Sequence, residues 1–274
     1  MPFRVAAVQL RSGPNRSENL SKIEDLILRS ADGGASLVSL PEFAPCLAPL
    51  KERPEYAEKI PGPSTDFLSD LARKFGLYIH CGSVIERSVY PAKVYNTSVF
   101  INPKGEIIAI YRKIHLFDVE LEGGKNEESR ITIAGNEPVV VTTELATFGF
   151  TICYDLRFPE LFRSITLLGA QIIFVPAAFL LATGKDHWEP LLRSRAIENQ
   201  VYIIAAAQVG TPFPGLTHYG NSMIIDPWGT VLARAPEEET VIFASVDLQR
   251  IERVRREVPC LANRRPEAYK GLSS

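Results

Sequence analysis

The sequence predicts an α/β fold, a four-layer α-β-β-α sandwich made of two pseudo-repeated halves. Predicted strands and helices alternate along most of the chain, as in sheets that are covered by helices. The second half also repeats the first, because the hairpin segments 96–109 and 221–233 both carry a serine followed five residues later by Pro-x-Gly. Each half then forms one sheet with helices on one face, and the two bare faces bury each other. In this repeat, Cys153 is expected to overlay Gln9.

The first elements follow from apolar periodicity and from the residues that interrupt it. Residues 3–9 alternate between apolar and polar and predict a strand. Residues 18–31 have apolar side chains at helical spacing and end at Gly33. The segment 36–40 is an apolar strand that Pro41 stops.

A loop rich in proline and charge, 43–61, leads to the rest of the first half. Ser64 is predicted to cap the next helix. The remaining strands are joined in part by an Asn-Pro-Lys-Gly turn, and they cover 77–85, 94–101 and 106–112.

The second half begins after a long polar connection, 114–136, and is centred on Cys153. The apolar run 148–153 predicts a strand that ends at this cysteine, and a helix closed by Gly169 follows it. The later predicted elements are a strand over 171–175, a helix over 187–199, a strand over 240–246, a helix over 248–257 and a C-terminal tail.

Composition indicates an ordinary soluble globular protein. The 274 residues, 46% of them hydrophobic, fit a single domain over 1–274. A formal net charge of −2 gives no sign of nucleic-acid or membrane-surface binding. The four cysteines are widely spaced and form no CxxC pair, which argues against a zinc ribbon. The sequence contains no apolar run of 18 or more residues and no signal-peptide pattern after Met1, so we expect a cytoplasmic protein. In a reducing cytosol its cysteines are expected to be free thiols.

Three reactive side chains, Glu42, Lys113 and Cys153, follow predicted strands and are expected at one rim of the sandwich. A thiol is mostly protonated at neutral pH, so a carboxylate that takes its proton and a nearby ammonium activate it. The thiolate then attacks a carbonyl or nitrile carbon. Lys113 and the backbone N–H of Tyr154 are candidates to hold the oxyanion, and the carboxylate protonates the leaving amine.

Other interpretations of the same residues stay open at this point. Cys153 also suits a buried core position, because free cysteine is among the most buried residue types. A Cys–His pair is the competing chemistry, with His115 as the first candidate ahead of His80, His187 and His218. A thiol redox sensor that pairs Cys153 with Cys46 is a further alternative.

Three segments resemble the signature blocks of the nitrilase superfamily of carbon–nitrogen hydrolases: 39–42 (SLPE), 111–116 (YRKIHL) and 153–160 (CYDLRFPE). The resemblance covers residues 5–269 and implies a nitrilase-like sandwich with a Glu-Lys-Cys triad of Glu42, Lys113 and Cys153. Glu128 matches the second glutamate that the family adds in the long loop after the lysine. The resemblance implies that neither a metal nor an organic cofactor is needed.

Further segments resemble the branch of omega-amidases and deaminated glutathione amidases: 187–200, 219–222, 226–229 and 264–266. This implies hydrolysis of the terminal carboxamide of a small anionic substrate through a thioester, with release of ammonia or an amine. Hydrolysis of nitriles or N-carbamoyl compounds and a non-catalytic scaffold role remain alternatives.

The resemblance also implies a substrate contact and a partner subunit. Arg157, four residues after the nucleophile, matches the arginine that holds the substrate carboxylate in related carbamoyl-amino-acid hydrolases. The alternative for this arginine is an ion pair with Asp155 or Glu160. A homodimer is expected, formed through the helix that carries Phe162 and through the tail at about 258–274.

Overall fold

The computed structural model describes residues 1–121 and 124–269 and contains two large β-sheets. We number the strands in chain order. The first sheet has seven strands: β1 (Phe3–Gln9), β2 (Leu37–Ser39), β3 (Tyr78–His80), β4 (Val84–Arg87), β5 (Val94–Ile101), β6 (Ile107–Arg112) and β17 (Thr240–Val246). The second has six: β9 (Val140–Thr142), β10 (Thr147–Phe150), β11 (Ile172–Phe174), β12 (Tyr202–Ala205), β15 (Met223–Ile225) and β16 (Val231–Arg234).

Within the described residues, two short hairpins and five α-helices complete the fold. The hairpins are β7 (Asp118–Leu121) with β8 (Gly124–Glu127), and β13 (Val209–Phe213) with β14 (Leu216–Tyr219). The helices are α1 (Arg16–Asp32), α2 (Pro63–Phe75), α3 (Pro159–Leu167), α4 (Leu181–Asn199) and α5 (Leu248–Glu257). Short 3-10 helices cover Leu50–Tyr56, Glu128–Arg130, Cys153–Arg157 and Pro266–Tyr269.

The two sheets pack face to face through buried aromatic rings. Phe100 of β5 lies 5.1 Å from Phe148 and 5.5 Å from Phe174, both in the second sheet. His80 of β3 stacks on Phe174 at 4.1 Å. Helices α1 and α2 pack on the outer face of the first sheet, and α3 and α4 on the outer face of the second. The predicted four-layer α-β-β-α sandwich is confirmed.

Both sheets share one pairing pattern. In the first, β1, β2 and β3 are parallel neighbours, followed by antiparallel β5 and β6. In the second, β10, β11 and β12 are parallel, followed by antiparallel β15 and β16. The repeat that the sequence predicted therefore extends to strand order.

The expected match between Cys153 and Gln9 is one residue out of register. Val5 pairs with Leu37, and Phe148 pairs with Ile172 at the corresponding place in the second sheet. On the next strand of each sheet, Leu37 pairs with Tyr78 and Ile172 pairs with Tyr202. Cys153 lies five residues after Phe148, so its counterpart is Leu10, five residues after Val5. The apolar pattern alone did not fix the register, because both strands are buried on both faces.

Several element boundaries differ from the prediction. The strand predicted at 77–85 is interrupted at Gly82, whose φ of 68° and approach to the Pro41 carbonyl leave no room for a side chain. Helix α2 begins at Pro63 and has Gly62 as its N-cap, so the predicted cap Ser64 is wrong. The backbone N–H of Ser64 donates to the Glu58 carboxylate. Helix α4 begins at Leu181 rather than at residue 187.

The two loops that the sequence left without predicted elements carry secondary structure. The 43–61 loop holds a 3-10 helix, and the 114–136 connection holds β7, β8 and the 3-10 turn with Glu128. Among residues 1–121 and 124–269, no helix is long and apolar enough to cross a membrane.

Candidate active site

Glu42 is held at the edge of the first sheet by hydrogen bonds to both of its carboxylate oxygens. It lies three residues after β2, with 2% of its surface exposed. Its Oε1 accepts from the Asn96 side chain at 2.8 Å, and its Oε2 accepts from the Ala178 backbone N–H at 2.8 Å. The next residue, Phe43, has a φ of 56°. Backbone strain of this kind costs about 1–3 kcal/mol and clusters at functional sites.

Lys113 lies between two carboxylates. It follows β6 directly, and its Nζ is 2.8 Å from Oε2 of Glu128 and 3.4 Å from Oε1 of Glu42. Burial alone would lower the pKa of Lys113, but the charges of Glu128 and Glu42 raise it above its usual value. Lys113 is therefore a fixed cation at neutral pH.

Glu128 has its charge compensated from two sides. Its Oε2 also accepts the Phe117 backbone N–H at 2.7 Å, and its Oε1 is 3.2 Å from Nη1 of Arg53. Burial would raise the pKa of Glu128, but Lys113 and Arg53 outweigh burial and lower it to about 2. Glu128 is thus ionised at every physiological pH and cannot easily serve as a proton acceptor.

Cys153 begins a 3-10 turn three residues after β10, so the predicted strand ends earlier than expected, at Phe150. Its φ of 49° places this residue in the left-handed region. Its backbone N–H donates to the Pro176 carbonyl at 2.8 Å. Burial and the neighbouring Glu42 raise the pKa of the thiol well above its usual value, while Lys113 acts in the opposite direction. The resting thiol is protonated and lies beside a carboxylate.

Asp155 holds this turn in place from the protein interior. The carboxylate is fully buried and accepts four hydrogen bonds. They come from the Ile152 N–H at 2.8 Å, the Tyr111 hydroxyl at 2.7 Å, and the N–H and Nδ1 of His115 at 2.9 and 2.7 Å. Asp155 therefore ties the turn of Cys153 to the end of β6, where Lys113 lies.

The predicted residues line one cavity. It encloses about 760 Å³ of space, which includes the solvent at its mouth. Its polar wall consists of Glu42, Lys113, Glu128 and Cys153, with Arg53 and His218 beside them. Its apolar wall is made mainly by Phe43, Leu47, Leu50, Phe117, Phe179 and Leu216.

Tyr154 and Arg157 lie where this cavity meets a second, more open one. Tyr154 lines both cavities, and Arg157 lines only the outer one, with His187. The guanidinium lies 5.2 Å above the Phe179 ring, and Nη1 is 3.3 Å from Nδ1 of His187. The alternative ion pair of Arg157 with Asp155 or Glu160 is not formed within the described part of the chain.

Among the described residues, no histidine hydrogen-bonds the Cys153 thiol, although His218 lines the same cavity. His115 binds Asp155 and stacks on Phe158 at 3.6 Å, outside the cavity lining. His80 is buried between Ser39 and Ser98, and burial lowers its pKa to about 3. His187 lies beside Arg157. The Cys46 thiol, the candidate redox partner, donates to the Pro14 carbonyl and also lies outside the cavity lining.

Three residues at the site were not singled out from the sequence. Asn96 orients Glu42, and a buried asparagine inside strand β5 was a usable signal. Arg53 lies in a short 3-10 helix whose sequence carries no periodic pattern, so nothing in the sequence pointed to this arginine. The Ala178 backbone N–H leaves no trace in the sequence, because any residue type supplies this group.

The comparison with known sequences covers almost the whole chain. The carbon-nitrogen hydrolase family profile matches residues 4–256. A deaminated glutathione amidase of Synechocystis is 41% identical over 96% of this chain and 98% of its own length. An omega-amidase of Xenopus tropicalis is 40% identical over 97% of this chain and 96% of its own length.

Solved structures show the same architecture. The NitFhit protein of C. elegans superposes with a TM-score of 0.93 at 35% identity, covering 98% of this chain and 66% of that protein. Nit3 of Saccharomyces cerevisiae is described as a member of branch 10 of the nitrilase superfamily. It superposes with a TM-score of 0.88 at 35% identity, covering 96% of this chain and 97% of that protein. The chain therefore belongs to the carbon–nitrogen hydrolases of the nitrilase superfamily.

Proposed function

We propose that this protein hydrolyses the terminal carboxamide of a small anionic substrate through a thioester on Cys153. The observation that carries the proposal is the convergence of Cys153, Glu42 and the Glu128-bound Lys113 in one cavity. Relatives named as deaminated glutathione amidase and omega-amidase, each about 40% identical over nearly the full length, support an amide substrate. The chain is an amidase-type carbon–nitrogen hydrolase, and nitrile or N-carbamoyl hydrolysis and a non-catalytic role are less favoured.

Acylation begins with transfer of the Cys153 proton to Glu42. Because the thiol pKa is raised, the proton leaves as the sulfur attacks the amide carbon rather than beforehand. Lys113 and the backbone N–H of Tyr154 donate hydrogen bonds to the oxygen of the tetrahedral intermediate. The Tyr154 N–H is available because it lies in the first turn of a 3-10 helix and has no acceptor within that helix. The C–N bond then breaks, and Glu42 gives its proton to the departing nitrogen.

Deacylation uses the same groups in reverse roles. Glu42 takes a proton from water, the hydroxide adds to the thioester carbon, and the C–S bond breaks. The sulfur regains the proton from Glu42, and the product is a carboxylic acid. Lys113 holds the oxyanion in both steps, and Glu128 with Arg53 fixes Lys113 without accepting a proton.

Arg157 is proposed to bind the carboxylate of the substrate. The guanidinium has no carboxylate partner within the described residues, and it lines the outer cavity, which shares Tyr154 with the cavity of the thiol. Arg157→Lys keeps the charge but loses the planar pair of donors that fits a carboxylate. We expect KM for glutaramate to rise about tenfold or more, with a much smaller change for the neutral amide butyramide. Steady-state kinetics on both amides measures this, and equal losses on the two would indicate a purely structural arginine.

An ammonia-release screen tests the proposed function as a whole. The wild-type protein is assayed with glutaramate, succinamate, an N-carbamoyl amino acid and an aliphatic nitrile of matched length. We expect the two anionic amides to have the highest kcat/KM. Preference for the nitrile or the carbamoyl compound would contradict an amidase, and no turnover of any of the four would favour a scaffold role.

Assembly and location follow as proposals of lesser weight. Phe162 is fully buried in the core, so it does not offer a surface to a partner subunit, contrary to the expectation. The exposed apolar residues at the end of the same helix, Leu167 and Leu168, are the better candidates for a homodimer contact. Residues 270–274 of the tail lie outside the described residues. We also propose that residues 1–274 form a single domain. The protein is proposed to be cytoplasmic, where the Cys153 thiol stays reduced.

A further inference from the structure

Asn96 of β5 contacts both Glu42 and the residue that carries the catalytic ammonium, Lys113. It is 1% exposed. Its side-chain NH₂ donates to Oε1 of Glu42 at 2.8 Å, and its backbone carbonyl accepts the Lys113 N–H at 2.9 Å. Within the described residues its Oδ1 has no partner. Buried amides usually pair both ends, so an asparagine whose side chain binds Glu42 alone indicates a role tied to that carboxylate.

The carboxylate of Glu42 has one acceptor site left for a proton. An ionised carboxylate accepts hydrogen bonds at about four sites, two on each oxygen. Oε1 accepts from Asn96 at 2.8 Å and from Nζ of Lys113 at 3.4 Å. Oε2 accepts from the Ala178 N–H at 2.8 Å. The donors of the described chain therefore occupy both sites of Oε1 and one site of Oε2.

The oxygen with the open site, Oε2, lies on the side of the nucleophile. Burial raises the pKa of the Cys153 thiol most, the neighbouring Glu42 raises it further, and a hydrogen bond from the Ala178 N–H lowers it. The Ala178 N–H thus lies beside the sulfur and also binds Oε2. The proton of Cys153 therefore has its nearest open acceptor site on Oε2.

We propose that Asn96 is a positioning residue that occupies Oε1 of Glu42 and so directs the proton transfers of the reaction to Oε2. In acylation the S–H bond of Cys153 breaks and an O–H bond forms at Oε2. The same proton then passes to the departing nitrogen, which leaves Oε2 free to take the next proton from water. Without the amide of Asn96, Oε1 gains an open site and the carboxylate can turn away from the sulfur.

This role acts through Glu42 and not on the substrate. Asn96 is not among the described residues that line the cavity. The inference rests on the proposed amidase function, in which Glu42 moves the protons.

A double-mutant cycle on glutaramate hydrolysis tests this role. We expect Asn96→Ala to lower kcat/KM about ten- to a hundredfold, the size of one hydrogen bond to a charged group. In the Glu42→Gln background the same change should alter kcat/KM less than twofold, because the group through which Asn96 acts is already lost. A loss that comes only from a loosened fold would be equal in both backgrounds.

An exchange of the two side chains keeps the test decisive if Asn96→Ala does not fold. Glu42→Gln combined with Asn96→Asp again pairs an amide with a carboxylate, but the negative charge now lies at residue 96. This protein should melt at a higher temperature than Asn96→Asp alone, in which two carboxylates face each other. Its kcat/KM should be no higher than that of Glu42→Gln.

Ser98→Ala is the matched control. Ser98 is a fully buried residue of the same strand, and its hydroxyl pairs with His80 outside the cavity lining. This variant should keep kcat/KM within twofold of the wild type even where it loses stability.

Three results would overturn the proposal: full activity of Asn96→Ala, an equal loss in both backgrounds, or recovered activity in the exchanged protein. A wild type that releases no ammonia from glutaramate or succinamate would instead refute the amidase function, and this inference with it.

Discussion

Replacing Cys153 by alanine is expected to abolish the hydrolysis of every amide that the wild-type protein cleaves. The loss should be on the order of 10⁶-fold, the size seen when the nucleophile of a catalytic unit is removed. The remaining groups cannot substitute for the thiol. Lys113 is held as a cation by two carboxylates, and Glu128 is bound on both oxygens. Ammonia and product-acid assays on the purified variant measure the effect.

The fold of this variant should survive, which makes the result interpretable. Alanine removes one sulfur atom from a residue at the cavity wall and leaves the hydrogen bond from its N–H to Pro176 unchanged. Cys81→Ala is a matched control, because Cys81 is a fully buried thiol outside the cavity lining. It should lose some stability and retain activity. Residual turnover by Cys153→Ala above about one per cent would exclude the covalent mechanism.

The layers of this fold could be predicted because they depend on local patterns. Each sheet contains three parallel strands linked by helices, and such units can be recognised in the sequence from apolar runs and helical spacing. The candidate catalytic residues Glu42, Lys113 and Cys153 could be picked out because each lies one to three residues after the end of a strand. The register between the halves could not be fixed, since β1 and β10 are buried on both faces and carry no polar alternation.

The rest of the site depends on contacts between segments that are distant in the sequence. Arg53 reaches Glu128 from 75 residues away, and Ala178 reaches Glu42 from 136 residues away. His218 was considered as a catalytic partner of the thiol. Its place in the cavity wall is set by the packing of β14, which the sequence does not show. Asp155 was considered as a partner of Arg157, whereas its burial against Tyr111 and His115 makes it the support of the Cys153 turn. Neither outcome can be read from spacing alone.

Replacing Glu42 by glutamine is expected to lower amide turnover by about 10²–10⁴-fold or more, the usual contribution of general acid–base catalysis. The site can accommodate the new side chain. The carboxamide oxygen still accepts from the Ala178 N–H, and its NH₂ group then faces the Asn96 amide. Within the described residues the Oδ1 of Asn96 has no partner, so a flip of the Asn96 amide turns the contact between two donors into a hydrogen bond. The loss therefore reports chemistry rather than misfolding.

The choice of substrate separates the two proton transfers that Glu42 performs. An amide needs a proton on its leaving nitrogen, whereas the p-nitrophenyl ester of the same acid has a leaving group that needs none. Loss of the Glu42 charge also removes an influence that raises the thiol pKa, while Lys113 still favours the thiolate. Glu42→Gln should therefore react with the ester in a rapid burst of about one equivalent of nitrophenolate and then stall, because no base activates water. Mass spectrometry should find the acyl group on the Cys153 peptide. If Glu42→Gln turns over amides normally while His115→Ala abolishes turnover, the enzyme uses a Cys–His pair and the assigned role of Glu42 is wrong.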